Sequence, residues 1–218
     1  MSAVAHIKEY KTGKFYQDDF RGDISWNGYE HNVLLRNEGM VPVEGEDKGK
    51  RETLRFTDVA MAVGADDMKD GRGMAVADFD NDGALDIVIN DNPGDSGIVA
   101  RARPALLRNN IGSRRNWLAV ELTGTKSNRD AVGAMVTIET GGAKQLRLVS
   151  AGSGFASQNS ERLYFGLNDK TQADALTVRW PSGRIENFKT IEGQPIKAGQ
   201  VIRVTEGRSI EQLKLPAK

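Results

Sequence analysis

Residues 78 to 86 read Asp78-Phe79-Asp80-Asn81-Asp82-Gly83-Ala84-Leu85-Asp86, and this segment, which we call the acidic loop, is the most informative part of the sequence about the fold. Carboxylates stand at its first, third, fifth and ninth positions, where they would repel each other unless a cation lay among them. Gly83 permits the positive φ that bends a chain around an ion. The predicted ligands are four carboxylates and one main-chain carbonyl, those of Asp78, Asp80, Asp82, Asp86 and Ala84. Such oxygen ligands suit Ca²⁺, whereas Mg²⁺ retains its waters and requires a strict octahedron.

An EF-hand is the competing interpretation of this spacing. That motif needs a bidentate Glu at its twelfth position, where this sequence has Ile89, and its loop lies between two helices. Residues 74–77 and 85–89 read as strands, so the acidic loop is predicted to join two strands. Two simpler structural explanations are also open: a solvated acidic turn without an ion, and an ion that stabilises the hairpin and has no further role. Stabilisation of the hairpin is favoured over catalysis.

Short strands, rather than helices, are predicted outward from the loop. The chain has 24 glycines, and short runs of Val, Ile, Leu and Thr alternate with turn residues. Leu34-Leu35-Arg36-Asn37 recurs as Leu106-Leu107-Arg108-Asn109, which indicates one repeat unit closed by the start of a second. From residue 117 onward, about seven short strands favour a small sandwich or barrel. We therefore predict an all-β fold in which one propeller-blade-like calcium-binding hairpin unit packs with a small β-sandwich or barrel domain.

Three segments are expected along the chain. Residues 1–112 form a calcium-binding unit with an N-terminal extension, residues 113–207 form the second β domain, and residues 208–218 form a short tail. One blade cannot close a propeller, because repeat arrays need about three or more units to bury a continuous core. Self-association into a homo-oligomer, or tight docking between the two halves, is therefore expected.

Composition excludes several classes of function. Lys plus Arg and Asp plus Glu both number 30, so the formal net charge is zero. A neutral chain has no global charge that attracts nucleic acid, and no nucleic-acid partner is expected. With no Cys and two His, thiolate chemistry and histidine metal sites are disfavoured. No apolar run approaches the ~20 residues of a membrane span. The first residues do not form a signal peptide, which predicts a cytoplasmic protein if Met1 is the native start and an exported one if a leader has been removed.

Several motifs carry a resemblance to known families. Phe56-Thr-Asp-Val59, Asp70-Gly-Arg-Gly73 and Ala77-Asp-Phe-Asp-Asn-Asp-Gly83, followed by Leu85-Asp-Ile-Val88, resemble an FG-GAP/VCBS repeat. The later motifs resemble an ASPIC/UnbV domain: Ser127-Asn-Arg-Asp-Ala-Val-Gly-Ala134, Gly152-Ser-Gly154, Ser157-Gln158, Tyr164-Phe-Gly-Leu167 and Val178-Arg-Trp-Pro-Ser-Gly183. Together they are similar to the C-terminal part of the cartilage acidic protein family and its bacterial relatives.

This resemblance implies a fold, a ligand set and a role. FG-GAP/VCBS repeats form blades of β-propellers such as integrin α-subunit heads, and the implied calcium ligands are the same five residues of the acidic loop. Family members are mostly binding or adhesion-type proteins. The resemblance therefore favours a binding role over catalysis.

The favoured interpretation is a calcium-binding, non-catalytic interaction module in which Ca²⁺ orders a strand-loop-strand unit that faces a protein or glycan partner. The alternative is a calcium-dependent enzyme acting on a small molecule, with Glu30, Asp66 and Asp67 as candidate acids. Glu30 and His31 could also form an acid/base pair, but adjacent residues of a strand point to opposite faces, which favours a structural role. A third alternative, a stability domain of a longer propeller, would show an exposed apolar edge.

Overall fold

The computed structural model describes residues 31–43, 52–67, 71–91 and 104–214. Within these ranges the regular structure is nearly all strand, which confirms the predicted all-β class. The helical segments described are α1, Ala60–Val63, and a single 3₁₀ turn, Gly112–Arg114. No helix in this part of the chain has the length and apolarity needed to cross a membrane.

The described residues up to Arg72, together with Asn90 and Asp91, belong to one compact unit. Its sheet pairs β1 (Leu35–Pro42) with β2 (Glu52–Asp58) in antiparallel fashion, with a bulge between Asn37 and Gly39. Asp58, at the end of β2, accepts hydrogen bonds at Oδ1 from the amides of Leu34 (3.2 Å) and Ala60 (3.0 Å). This carboxylate therefore holds the start of α1 beside the residue that precedes β1.

The second unit contains Gly73–Ile89 and the described residues from Ala105 onward. A sheet of order β3-β4-β5 is formed by β3 (Gly71–Ala77), β4 (Asp86–Asp91) and β5 (Ala105–Leu107). Residues 73–77 of β3, residues 86–89 of β4 and the whole of β5 belong to the second unit. The acidic loop connects β3 to β4, so strands flank it on both sides. The end of the loop overlaps the start of β4, because Asp86 is both the ninth loop position and the first residue of that strand.

Two four-stranded sheets follow in the same unit. The first has the order β16-β15-β6-β9 and comprises β6 (Asn116–Thr123), β9 (Leu163–Asn168), β15 (Gln200–Thr205) and β16 (Ser209–Leu213). The second has the order β12-β11-β7-β8 and comprises β7 (Met135–Thr140), β8 (Ala143–Leu148), β11 (Ala175–Arg179) and β12 (Ile185–Phe188). A small three-stranded sheet of order β10-β14-β13 is formed by β10 (Gln172–Ala173), β13 (Thr190–Ile191) and β14 (Gln194–Lys197). Neighbouring strands of the large sheets are antiparallel except β15 and β6, which are parallel.

One apolar core lies between the two large sheets. Strand alternation sends every second side chain into it, and its largest fully buried members include Leu118, Val120, Val136, Ile138, Phe165, Leu176, Val178 and Ile202. On the outer face of the β16-β15-β6-β9 sheet, Ala119, Tyr164 and Val201 form a second buried cluster against Trp117 and Leu213. The sheets are open and pack as a sandwich; no closed barrel forms.

Two features of the structure lie near the expected segment boundaries. The sequence predicts a tail from residue 208, whereas Ser209–Leu213 forms β16 and pairs along its whole length with β15. A five-residue strand with only two apolar residues, Ile210 and Leu213, gives no period-two pattern that could have indicated it. The acidic loop also groups with the residues after 105, so the expected boundary at residue 112 falls inside one compact unit.

Candidate metal centre

The acidic loop is folded around its own carboxylates. Asn81 and Gly83 adopt φ values of 55° and 91°, and these two left-handed residues turn the chain between β3 and β4. Asp78 accepts hydrogen bonds from the amides of Asp82 (3.0 Å at Oδ1) and Gly83 (2.9 Å at Oδ2). Asp82 accepts at Oδ1 from the Ala84 amide at 2.9 Å. The first and fifth loop positions therefore bind main-chain N–H groups of the loop itself.

The loop is seated on the outer face of the β16-β15-β6-β9 sheet. A Cβ atom added at Gly83 would lie 1.9 Å from Nε1 of Trp117, so the indole occupies the space that any side chain at position 83 would need. Trp117 belongs to β6 and packs with Tyr164, with ring centroids 6.2 Å apart. Gly83 is therefore required both by its positive φ and by the indole beside it.

Asp86 is the most buried carboxylate of the loop, with a relative exposure of 3%. Its Oδ2 accepts a hydrogen bond from the Phe79 amide (3.2 Å), and its Oδ1 accepts one from the Asn109 amide (2.8 Å). This side chain connects the start of the loop with the residues that follow β5. Burial is tolerated because each oxygen has a donor.

Three carboxylates converge at the centre of the loop. Asp78, Asp80 and Asp86 each offer one oxygen within 4.8 Å of the others. The Oδ1 atom of Asp80 is buried and accepts no hydrogen bond from any described residue. A buried carboxylate oxygen without a partner is unfavourable, and a cation among the three oxygens would supply that partner. The donor set consists of oxygen atoms, which fits a hard ion such as Ca²⁺.

The structure brings together three of the five predicted ligands. Asp82 directs Oδ1 to the Ala84 amide, and its Oδ2 lies 3.9 Å from Arg108. Arg108 also forms an ion pair with Oδ2 of Asp80, which leaves Oδ1 of that residue as the orphaned atom. No local sequence pattern points to Arg108, because it lies 28 residues from Asp80 and the β4-β5 pairing brings it to the loop.

A polar cluster connects the loop to the sheet beneath it. Arg162 donates from Nη1 to Asn81 Oδ1 (3.3 Å) and to the Tyr164 hydroxyl (3.2 Å), and from Nε and Nη2 to Oε1 of Glu121 (3.0 and 2.7 Å). Arg203 donates to the other Glu121 oxygen at 2.9 Å. Arg162 therefore connects the loop to the Glu121 carboxylate. Arg162 and Glu121 lie 41 positions apart in the chain, and no local sequence pattern predicts their contact.

The pKa values of this cluster follow from burial and pairing. Burial acts to raise the pKa of Glu121, but the hydrogen bonds from Arg162 and Arg203 outweigh it and hold that pKa below its usual range. Burial, with a smaller contribution from the Asp78 carboxylate, raises the pKa of Tyr164 to about 12. The Glu121 carboxylate is therefore charged and the Tyr164 phenol is neutral at ordinary pH.

Two of the acids named for an enzymatic site, Asp66 and Asp67, belong to the other unit. Asp66 lies 3.1 Å from Nδ1 of His31, and the main-chain carbonyl of Asp67 accepts a hydrogen bond from the Asn32 amide at 3.1 Å. Glu30 lies outside the described residues. The His31–Asp66 pair gives His31 a partner other than Glu30.

Comparisons with known proteins identify the later part of the chain. Residues 124–211 match the family described as ASPIC and UnbV. Cartilage acidic protein 1 of Xenopus tropicalis is 38% identical over 130 residues, which cover 57% of this chain and 19% of the relative. The protein of the same name from Homo sapiens is 33% identical over 150 residues, covering 67% and 21%. The chain thus spans about a fifth of the length of these curated relatives. It contains an ASPIC and UnbV domain and is homologous to a part of cartilage acidic protein 1.

Proposed function

We propose that this chain is a calcium-binding, non-catalytic interaction module in which Ca²⁺ orders the loop between β3 and β4. The observation that carries the proposal is the orphaned Oδ1 of Asp80, buried beside one oxygen each of Asp78 and Asp86. A divalent ion would offset the repulsion between these carboxylates and give the buried oxygen its partner. Asp82 and the Ala84 carbonyl are the further ligands proposed for the shell. We also propose that the strand-loop-strand unit is of the FG-GAP/VCBS type.

The surroundings of the loop favour a structural role for the ion over a catalytic one. The loop carboxylates already bind main-chain amides, and Gly83 is fixed against Trp117. The acid beside the loop whose pKa is shifted, Glu121, is held charged by two arginines. A carboxylate held in this way stabilises an arrangement of strands, whereas a general acid would need a raised pKa.

A calcium titration followed by thermal unfolding tests the proposal. An ion that binds only the folded state stabilises it by about 2.7 kcal/mol at a hundredfold excess over its Kd, so added Ca²⁺ should raise the Tm, and Mg²⁺ should raise it less. Asp80→Asn preserves the shape of the side chain and removes its charge, and it should abolish most of the calcium-dependent rise.

Asp169→Asn is the matched control, because Asp169 is an exposed carboxylate 3.6 Å from Lys170 and far from the loop in sequence. This variant should retain the full calcium response. A wild-type Tm that does not change with Ca²⁺, or an equal loss in both variants, would contradict calcium binding at the acidic loop.

Partners and localisation stay proposals as well. Leu35, Met40, Leu54 and Phe56, on β1 and β2, are each about half exposed, and apolar side chains on a two-stranded sheet favour cover by a partner or a second copy. The relatives take their name from cartilage, which favours the exported of the two alternatives for localisation.

A further inference from the structure

A cavity of about 650 Å³ with a mixed polar and apolar lining lies beside the acidic loop within the second unit. Its walls are β3, the end of β6 and residues 158–162, and its polar lining includes Glu121, Asp130, Gln158, Glu161 and Arg162. Phe79, which is 52% exposed, is also among the residues that line the cavity. The volume is in the range of pockets that hold small ligands, roughly 300 to 1,000 Å³.

The walls of this cavity are fixed by hydrogen bonds. Asn159 accepts from the Val76 amide at 2.9 Å and donates to Ser153 Oγ at 2.7 Å, while the Ser160 amide donates to the Val76 carbonyl at 2.9 Å. Residues 158–162 are thereby attached to the outer edge of β3. Because both main-chain groups of Val76 are occupied, an extended peptide cannot add to β3 as a further strand at this position.

The cavity retains hydrogen-bonding capacity that the described residues do not use. Glu161 accepts one hydrogen bond at Oε1, from Gln158 Nε2 (3.2 Å), and Asp130 accepts one at Oδ1, from Arg129 Nε (3.2 Å). Among the described residues, no donor reaches the second carboxylate oxygen of either residue or the amide oxygen of Gln158. These three acceptors can receive hydrogen bonds from a bound molecule.

The charges around the cavity are largely compensated. Arg162 and Arg203 pair with Glu121, and Arg129 pairs with Asp130, so Glu161 is the lining carboxylate without an ion pair among the described residues. A strongly charged ligand therefore has little net field to attract it. A neutral ligand rich in hydroxyl groups fits better, because each hydroxyl both donates and accepts a hydrogen bond. An exposed aromatic ring adds an apolar surface for the C–H face of a sugar.

We propose that this cavity binds a neutral saccharide of about two or three sugar units. The inference rests on the proposed function, because it names a glycan as the partner of the interaction module. It uses no residue of the predicted calcium shell, so its success or failure can be separated from that of calcium binding. Phe79 supplies the stacking surface, while Asp130, Gln158 and Glu161 receive hydrogen bonds from sugar hydroxyls.

Saturation-transfer difference NMR on the full chain tests this proposal with three neutral trisaccharides: maltotriose, cellotriose and triacetylchitotriose. At least one should receive saturation, and Phe79→Ala and Gln158→Ala should each weaken its binding about tenfold or more. Phe155→Ala is the matched control, because Phe155 is 71% exposed and does not line the cavity, and it should leave binding unchanged.

Several outcomes would overturn the proposal. No saturation of any of the three sugars excludes a neutral saccharide site, and binding that is unaffected by Phe79→Ala and Gln158→Ala excludes this location. A signal from a trilysine peptide in place of the sugars would assign the cavity to a basic peptide. Each experiment is run with Ca²⁺ and with EGTA. Sugar binding without any calcium effect on Tm would uphold the cavity and reject the metal site, and the reverse result would reject the cavity alone.

Discussion

Two single residues of the second unit, Gly83 and Glu206, are closely constrained by their neighbours. Gly83 has a positive φ, and the indole of Trp117 occupies the space where a Cβ atom at this position would lie. Glu206 is a buried carboxylate, with a relative exposure of 2%, inside a loop of main-chain amides. In both cases a neighbour distant in sequence determines which residue can occupy the position.

Gly83→Ala should lower the free energy of unfolding by about 2 to 4 kcal/mol, because the new methyl group overlaps the Trp117 ring and the left-handed φ strains an alanine. Gly142→Ala is the matched control: Gly142 has a φ of 82°, but nothing lies within 4 Å of an added Cβ. Only the strain applies there, about 1 kcal/mol. Urea unfolding of both variants measures the difference, and equal losses would mean that the indole contact is not close.

Glu206 is a carboxylate enclosed by donors. Its Oε2 accepts from the amides of Thr125 (2.8 Å), Lys126 (2.8 Å) and Ser127 (2.7 Å), and its Oε1 accepts from the hydroxyls of Ser127 and Ser182. Burial acts to raise the pKa of Glu206, but the hydrogen bonds from Ser182 and from the three amides lower it from 4.5 to about 2. The carboxylate thereby attaches residues 125–127 to the end of β15.

A pKa below its unfolded value means that ionised Glu206 stabilises the fold. That contribution is present in full above pH 4.5 and is lost as the pH falls from 4.5 towards about 2. Glu206→Gln should therefore reduce stability at pH 7 by about 3 kcal/mol, since several buried donors lose a charged acceptor, and should flatten the pH dependence over this window. Denaturant unfolding from pH 2 to pH 7 measures both effects. Glu211→Gln, at an exposed position on β16, should change neither.

Among the strands, β3 has an outer edge that is covered by residues 155–160, which follow β8. β3 is an outer strand of its sheet, and unpaired edges invite association with other chains. The side chain of Asn159 and the amide of Ser160 occupy both main-chain groups of Val76. A Cβ added at Gly73 would also lie 3.3 Å from the Phe155 carbonyl, so the same segment passes closely along the strand.

Asn159→Leu should release this segment from β3. The Val76 amide loses its acceptor, so its hydrogen exchange should accelerate about tenfold, as expected for the loss of a hydrogen bond worth roughly 1.4 kcal/mol. Core amides such as that of Val120 should exchange as before. Asn187→Leu, on exposed β12, is the matched control and should not affect Val76. Unchanged exchange at Val76 in Asn159→Leu would show that the side chain does not hold the edge.

In the molecule as a whole, the second unit is a sandwich, and apolar side chains pack against both faces of its β16-β15-β6-β9 sheet. One face contributes to the main core, and the other carries Trp117, Tyr164 and Leu213. β6 lies inside this sheet between β15 and β9, and Leu118, Ala119 and Val120 are all fully buried. β16 completes the sheet on the far side of β15.

Deletion of residues 209–218 should therefore destabilise the fold. It removes β16, exposes the edge of β15 and takes away Ile210 and Leu213 from the two apolar clusters, which together should lower the free energy of unfolding by about 2 to 4 kcal/mol. Deletion of residues 215–218 alone leaves β16 intact and should have little effect. Denaturant unfolding compares the two, and full stability of the longer deletion would identify residues 209–218 as a dispensable tail.

The all-β class, the strands on either side of the acidic loop and the likeness of the later motifs to ASPIC/UnbV are all predictable from the amino-acid sequence. These features are local, because turn residues, short β-branched runs and the spacing of the acidic loop act over a few residues. Four features emerge only when the chain is folded: Arg108 pairs with Asp80, Arg162 pairs with Glu121, Glu206 binds residues 125–127, and residues 209–213 form a strand. Such contacts join residues that are distant in the chain, and the packing of strands, rather than any local pattern, brings them together. Calcium binding stays a prediction of the sequence, and the orphaned oxygen of Asp80 is the structural reason to test it.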